Sequence, residues 1–293
     1  ERIAMKRMGK NWTLVADSGS TKTDWLAISV DGDELSVKTT GINPYAMDDA
    51  TIGRILHGEM RVALPPESVV TAVHFYGAGC RGEAATRLQR LLSLEFAVDM
   101  SAVRVRSDLL GAAHALCGSQ EGVVCILGTG SGSGLYDGSS FVAQVPSLGY
   151  ILGDEGSGAV LGRQWVAEVF KGKMDEAIRQ RFLSETGLTQ DILLDHVYRQ
   201  PQANRYLASF VPLLHAHREH PDVAALIGRE FDRFFCRCVI PYGRPDFSVH
   251  FVGSVAWFFA DEVRKAACRS GLKVGHIQKS PLTRLAAYVS GLG

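Results

Sequence analysis

Apolar residues recur along this chain in two rhythms. Short apolar blocks bounded by glycine, aspartate or proline alternate with longer stretches in which apolar positions return every three or four residues. The first rhythm predicts strands and the second helices. Thr13 to Ala16 and Trp25 to Val30 read as strands, and an Asp31-Gly32 turn leads into a third, Leu35 to Thr40. Asp-Gly between two β-rich runs predicts a hairpin. A helix follows over about residues 48–63. Val69 to Tyr76 is an unbroken apolar run suited to a strand buried on both faces. Arg81 to Leu92 has helical spacing, and Val103 to Arg106 makes a short strand.

The opening pattern then returns. Val123 to Leu127 reads as a buried strand, followed by the loop Gly128-Thr-Gly-Ser-Gly-Ser133, a strand from Gly134 to Tyr136, an Asp137-Gly138 turn and a strand from Ser140 to Gln144. The first half reads the same way: Leu14 to Ala16, the loop Asp17 to Thr21, a strand ending at Asp31-Gly32, another strand. This is a repeat of architecture rather than of sequence. Residues 158–240 read mostly as helix, with Pro201 and Pro212 marking breaks. Ser248 to Val252 is one more apolar strand, ending at Gly253-Ser254, and Pro281 to Val289 is amphipathic. Strands and helices mixed on this scale predict an α/β fold. Two lobes that open on the same three-strand unit predict a duplicated one, with an interlobe cleft.

Length and charge narrow the function. The 293 residues suffice for two domains of ordinary size. Thirty-one basic residues balance thirty-one acidic ones, so nothing resembles the basic footprint of a nucleic-acid binder. No apolar run approaches the roughly 20 residues that span a bilayer, so no membrane association is expected. The basic segment Glu1 to Lys10 lacks the apolar core of a signal peptide and is set aside from the fold. The six cysteines are scattered, most beside apolar residues, which predicts reduced, buried thiols in a cytoplasmic protein. Cys236-Arg-Cys238 lacks a second pair at ligand spacing, so a metal site there is not expected.

Two loops carry candidate chemistry. In Asp17-Ser18-Gly19-Ser20-Thr21-Lys22-Thr23-Asp24, Gly19 lets the backbone turn tightly and present N–H groups. Ser20, Thr21 and Thr23 add hydroxyls and Lys22 a positive charge, a set that suits a phosphate chain. Each hydrogen bond to a charged oxygen contributes about 1.5–3 kcal/mol. Asp17 is suited to hold Mg²⁺ through water. An ordinary hairpin would use many of the same residue types. Gly128 to Ser133 has the same chemistry without the carboxylate. It lacks the third glycine of a dinucleotide fingerprint, and the chain has no Walker-type Gly-Lys-Ser/Thr. Two such loops, each leaving the first strand of its own half, are far more specific than either alone.

These loops resemble the two phosphate loops of the actin, hexokinase and sugar-kinase superfamily. Phe251-Val-Gly253-Ser254-Val-Ala256 resembles its adenosine-binding strand and turn, and Phe75-Tyr-Gly77-Ala-Gly79 the segment that joins the lobes. Within the superfamily the likeness is closest to N-acetylglucosamine kinases and their bacterial relatives, whose Gly-Thr-Gly-Ser and Gly-Asp-Glu-Gly-Ser signatures stand here at Gly128 to Ser131 and Gly153 to Ser157. The likeness runs in collinear order from about residue 11 to the end. It implies two actin-like ATPase (ribonuclease H-like) lobes, residues 11–116 with 279–293 and residues 117–278.

The resemblance also implies roles. Asp108 matches the catalytic base. Ser18, Gly19, Ser20, Thr21, Lys22, Thr23 and Gly128, Thr129, Gly130, Ser131 match the ATP phosphate loops, Gly253 and Ser254 the adenosine turn. Asn43, Thr129, Gly149 and Asp154 match the sugar site, and Asp17 the water-mediated Mg²⁺ ligand. ATP and Mg²⁺ would be the cofactors, a small sugar the substrate, its 6-hydroxyl the acceptor, and a homodimer the assembly. By residue type alone, Asp108 and Asp154 would equally suit helix caps. One departure bears on the sugar. Where N-acetylglucosamine kinases carry an aromatic residue and a histidine around the bordering glycine, this chain has Leu148-Gly149-Tyr150. Glucosamine or N-acetylmuramic acid therefore stand beside N-acetylglucosamine as acceptors. Outside that group stand an ATPase activator of 2-hydroxyacyl-CoA dehydratases, with Cys117 and Cys125 as cluster ligands, and a non-catalytic sugar or nucleotide sensor. His215-Ala-His217 and His220 lie in a polar helical stretch and read as solvated histidines rather than metal ligands.

Overall fold

The structure, a computed structural model, describes residues 10–19 and 21–291. The chain forms two compact units: the first runs to Gly118 and resumes at Pro281, and the second is Ser119–Ser280.

The first unit is built on five strands: β1 (Asn11–Ser18), β2 (Lys22–Ser29), β3 (Glu34–Thr40), β4 (Val69–Gly77) and β5 (Val103–Ser107). They lie in the order β3-β2-β1-β4-β5. β1, β2 and β3 form an antiparallel meander, while β4 and β5 run parallel to β1. The helices are α1 (Asp49–Ile55), α2 (Gly82–Phe96), α3 (Asp108–Leu116) and the C-terminal α13 (Leu282–Val289). Helical turns continue α1 as far as Ala63, so the expected 48–63 helix is one stretch of changing pitch.

Successive side chains leave a strand on opposite faces, and β1 shows why its run is wholly apolar. Leu14 and Ala16 enter a core shared with Trp25, Phe75, Leu88 and Phe96. Val15, between them, enters another shared with Leu26, Tyr76, Ala115 and Leu285. On α2, Leu88, Leu92 and Phe96 stand four residues apart and are buried on one face, and the helix ends at Ala97 in the left-handed conformation.

The second unit repeats the plan. Its strands are β6 (Gly122–Leu127), β7 (Ser131–Tyr136), β8 (Phe141–Ala143), β9 (Ser248–Val252) and β10 (Lys273–Gln278). Their order is β10-β9-β6-β7-β8, again an antiparallel trio with two strands parallel to the first. The duplication read from the loops is thus a duplication of sheet topology. The helices are α4 (Gly149–Leu152), α5 (Gly158–Phe170), α6 (Glu176–Thr186), α7 (Gln190–Tyr198), α8 (Ala203–Ala208), α9 (Val211–Ala216), α10 (Pro221–Phe234), α11 (Ser254–Phe258) and α12 (Ala260–Arg269). Val223, Leu226, Ile227, Phe231 and Phe234 give α10 one apolar face, which joins Val123, Cys125, Leu127 and Phe251 in the core. Pro212 sits in the first turn of α9, where its missing N–H costs nothing, so it starts a helix rather than breaking one.

Two expectations need correction. Phe75 to Gly79 lies wholly inside the first unit, and the chain passes between units at Gly118–Ser119 and Ser280–Pro281. Cys236 and Cys268 are exposed, unlike the buried Cys80, Cys125 and Cys238. Among the described residues no helix is long and apolar enough to cross a membrane.

Candidate functional site

In the first unit the candidate chemistry gathers where the parallel strands β1, β4 and β5 end. Open α/β sheets bind ligands beyond the carboxyl ends of their strands. Asp17 is the penultimate residue of β1, paired in register with Tyr76, and Gly77 on β4 pairs with Ser107, the residue before Asp108. Ser107, not Asp108, caps α3: its Oγ accepts the Leu110 N–H at 3.3 Å. Asp108 Oδ1 accepts the N–H of Leu109 at 2.9 Å. Asp17 and Asp108 are half-buried as residues. Burial pushes the Asp17 carboxyl up to about 7, the charges of Asp108 and Asp24 add to the rise, and Lys22 works against it. Burial likewise raises Asp108, opposed by the Leu109 N–H and the nearby charge of Arg81. An excess of negative charge at this edge fits a cation, and Mg²⁺ characteristically takes one or two carboxylates and keeps its waters.

The first loop is tighter than its sequence suggests. Asp17 pairs with Asp24 and Ser18 with Thr23 across the β1–β2 ladder, so the pairing runs right up to the turn. Gly19 N–H closes the turn on the Lys22 carbonyl at 3.0 Å. Ser18 and Thr23 are buried and share a 2.7 Å hydrogen bond between their hydroxyls. Ser18 Oγ also bonds the backbone of Ile42, and Thr23 Oγ1 donates to the Thr40 carbonyl. These two hydroxyls lock the hairpin to the segment after β3. Thr21 and Lys22 are exposed, and Lys22 Nζ reaches Asp24 at 2.5 Å. Ser20 lies outside the described residues.

Asn43 follows directly from that locked segment. Its Oδ1 accepts the Tyr45 N–H at 3.0 Å, and its carbonyl accepts from Ala46 and Met47. A β-carbon on Gly79 would overlap the Asn43 side-chain amide, so the glycine at the end of Phe75 to Gly79 makes room for Asn43.

In the second unit the loop Gly128 to Gly130 joins β6 to β7. Gly158 and Ala159, the first residues of α5, donate their N–H groups to the carbonyls of Gly128 and Thr129 at 2.8 and 3.1 Å. The helix start therefore holds the loop. The Gly153-Asp-Glu-Gly-Ser157 signature forms the turn before it. Asp154 adopts a left-handed conformation, φ 55°, and its carbonyl accepts the Ser157 N–H. Ser157 Oγ caps α5. The Asp154 carboxyl is raised by burial, and the Ser131 N–H that donates to it opposes the rise. Glu155 points elsewhere: it is buried, with Oε1 2.8 Å from Arg237 Nε and Cys238 Sγ 3.7 Å from Oε2. Gly149 opens α4 with φ 74°, and the flanking Leu148, Ile151 and Leu152 are all exposed.

Beside this loop lies a cavity of about 380 Å³, within the range of small-molecule pockets. Gly128, Thr129 and Gly158 form one part of its lining; Val211, Pro212, His215, Ser254, Val255, Phe258 and Phe259 contribute to the rest. Gly253 has φ 124°, and a β-carbon there would overlap the Leu127 carbonyl. Only glycine lets the end of β9 approach the loop so closely. A broader groove of about 700 Å³ runs along α10 past Arg229, Asp232, Arg233 and Arg269, and no residue of the Gly128 to Ser133 loop lines it.

The three histidines are half-buried rather than fully solvated. His215 lines the cavity, its Nε2 3.0 Å from the Phe258 carbonyl. His217 Nε2 is buried without a hydrogen-bond partner. His220 precedes α10, and its Nδ1 accepts the Asp222 N–H at 3.4 Å. Residue type could not separate these fates. The apolar cavity residues Val211, Phe258 and Phe259 were equally hidden, because nothing in the order of the chain shows that α9 and α11 converge.

No protein-family profile matches the chain. No curated protein matches it either. Solved structures do. A candidate N-acetylglucosamine kinase from Porphyromonas gingivalis is 43% identical, with 95% of this chain and 99% of that one covered and a TM-score of 0.91. A candidate N-acetylglucosamine kinase from Chromobacterium violaceum is 19% identical over 95% and 98% of the two chains, with a TM-score of 0.71. A glucokinase of the ROK family from Streptomyces griseus, bound to glucose and AMPPNP, is 17% identical over 94% and 98%, with a TM-score of 0.54. The last two likenesses speak for the fold alone.

Proposed function

This chain belongs to the N-acetylglucosamine kinase-like sugar kinases of the actin-like ATPase superfamily, and from that premise we propose that it transfers the γ-phosphoryl group of ATP to an amino sugar. N-acetylglucosamine is the favoured acceptor and its 6-hydroxyl the attacking group. The observation that carries the reading is Asp108, a largely buried carboxylate at the end of β5 whose pKa is raised. A raised pKa makes a carboxylate a stronger base, and general-base help is typically worth about 10²–10⁴-fold. One Asp108 oxygen is occupied by the Leu109 N–H. The other is left to take the proton of the acceptor hydroxyl as its oxygen attacks phosphorus.

Positioning carries much of phosphoryl transfer. Asn43 and Asp154 bond sugar hydroxyls, while Gly149 and Thr129 border the ring. The backbone N–H groups of Thr129 and Gly130, with Thr21 and Lys22, hold the phosphates, while Gly19, Gly128 and Ser131, whose N–H groups are engaged within the protein, shape the two loops. Ser18 and Thr23 serve by fixing the hairpin, since their hydroxyls are already engaged. The nucleoside occupies the 380 Å³ cavity against Gly253 and Ser254. Magnesium, held through water by Asp17, would offset the charge of the phosphates. Leu148 and Tyr150 shape the acetamide side, so glucosamine and N-acetylmuramic acid remain the comparison acceptors.

The test is ADP release measured across a panel of hexoses and amino sugars. N-acetylglucosamine should support the highest kcat/KM. ADP release that no sugar stimulates would overturn the kinase reading, and a better acceptor outside the amino sugars would overturn the substrate.

A further inference from the structure

His215 is the one cavity-lining side chain whose hydrogen-bonding role its surroundings dictate. The other polar side chains there, Thr129 and Ser254, are hydroxyls that can donate or accept. Each adjoins a glycine at which the loop and the end of β9 meet, Gly128 and Gly253. His215 comes from α9 instead, among Val211, Pro212, Phe258 and Phe259. Its Nε2 stands 3.0 Å from the Phe258 carbonyl oxygen. A carbonyl only accepts, so Nε2 carries the hydrogen. A neutral imidazole with hydrogen on Nε2 has a bare Nδ1, which only accepts. The ring is also held in place: it meets Phe259 edge to face at 5.0 Å and Phe258 at 5.9 Å.

We propose that His215 is a specificity-determining residue that reads the base of the nucleotide, its Nδ1 accepting a hydrogen bond from the 6-amino group of a purine. This rests on the kinase reading above. A 6-amino group donates and matches Nδ1. A 6-oxo group, as in inosine or guanosine nucleotides, sets one acceptor against another in a largely apolar cavity. An unmatched polar pair of this kind should weaken binding by about tenfold to a hundredfold. The apolar walls supply affinity for any purine, and the histidine supplies the choice among them.

Direct binding of AMPPNP and of its inosine counterpart to the full chain, measured by calorimetry without sugar, tests this. KM values for ATP and ITP in the ADP-release assay accompany it. Wild type should bind the adenine nucleotide at least tenfold more tightly. His215→Phe, which keeps an aromatic ring without the acceptor, should weaken adenine binding about tenfold and leave inosine binding nearly unchanged. His215→Asn, whose side-chain oxygen can stand near the lost Nδ1, should restore part of the preference and serves also if the phenylalanine variant folds poorly. Equal wild-type affinities for the two nucleotides would overturn the inference alone. So would variants that lose both nucleotides equally, since that is what a purely structural role gives. Absence of any nucleotide binding by wild type would overturn the kinase reading and this inference with it.

Discussion

A β-carbon on Gly130 would come within 3.1 Å of Asp154 Oδ2, so the second glycine loop and the aspartate of the Gly-Asp-Glu-Gly-Ser turn are fitted to one another. The carboxylate also receives the Ser131 N–H, which leaves it held on one side and available on the other. Replacing Asp154 with alanine should raise the KM for the sugar about tenfold to a hundredfold, the worth of a hydrogen bond to a charged group. The KM for ATP should change less than about threefold by the same reasoning, because α5 holds the Gly128 and Thr129 carbonyls independently of Asp154. Steady-state kinetics with each substrate varied in turn checks this, and equal changes in both constants would count against a sugar-binding role.

Asp108→Asn keeps the size of the side chain and an oxygen for the Leu109 N–H. It should lower kcat by about 10²–10⁴-fold while nucleotide affinity and thermal unfolding stay near those of wild type. Turnover within a few-fold of wild type would remove Asp108 as the base.

Asp17 makes stability depend on pH when divalent metal is absent. Its carboxyl titrates near 4 when exposed and is raised to about 7 in the folded chain. The folded state therefore holds the proton more tightly. The stability contributed by that proton is fully present below about pH 4 and is lost as pH rises through about 7. Asp17→Asn should remove this dependence. In EDTA, the variant should gain on the order of 1–3 kcal/mol over wild type at pH 8, and the gain should vanish near pH 4. Urea unfolding at the two pH values measures it. A variant no more stable than wild type at pH 8 would show that Asp17 is not strained by its surroundings.

The ion pair between Glu155 and Arg237 is lopsided: the glutamate is buried, while the arginine side chain is 60% exposed. Arg237→Ala strands a buried charge, whereas Glu155→Gln leaves an arginine that water can solvate. The arginine variant should lose about 1–3 kcal/mol of stability, and the glutamine variant distinctly less. Denaturant unfolding of both variants decides it, and the reverse order would mean that Glu155 is held by something other than Arg237.

What could be read from the sequence was what is encoded locally. The two glycine loops, the Asp-Gly turns, β9 and the Gly153 to Ser157 turn each depend on residues within a few positions, and the repeat between halves could be traced from them. β10 escaped notice because Lys273-Val-Gly-His-Ile-Gln278 is an edge strand that buries only Ile277 fully, which leaves almost no apolar rhythm. Ser18 and Thr23 had the right chemistry for phosphate, but their mutual hydrogen bond follows from strand register, and an adjacent pair in β1–β2 looks the same on paper as two free hydroxyls. His215 was visible only as one histidine of three. Its neighbour Phe258 lies 43 residues away, and the hydrogen bond that fixes its tautomer depends on how α9 and α11 pack.

The chain order of the two units has a consequence for synthesis. α13 belongs to the first unit, where Leu285 and Ala286 pack against Val15, Leu26 and Tyr76. On the ribosome, β1 to α3 emerge early with this part of their core uncovered, and the whole of Ser119–Ser280 follows before α13 can dock. The unit begun first is thus the last to be completed. The apolar surface of Val15 and Leu26 stays open through that interval, which makes the half-made chain a natural client for chaperones that shield such surface.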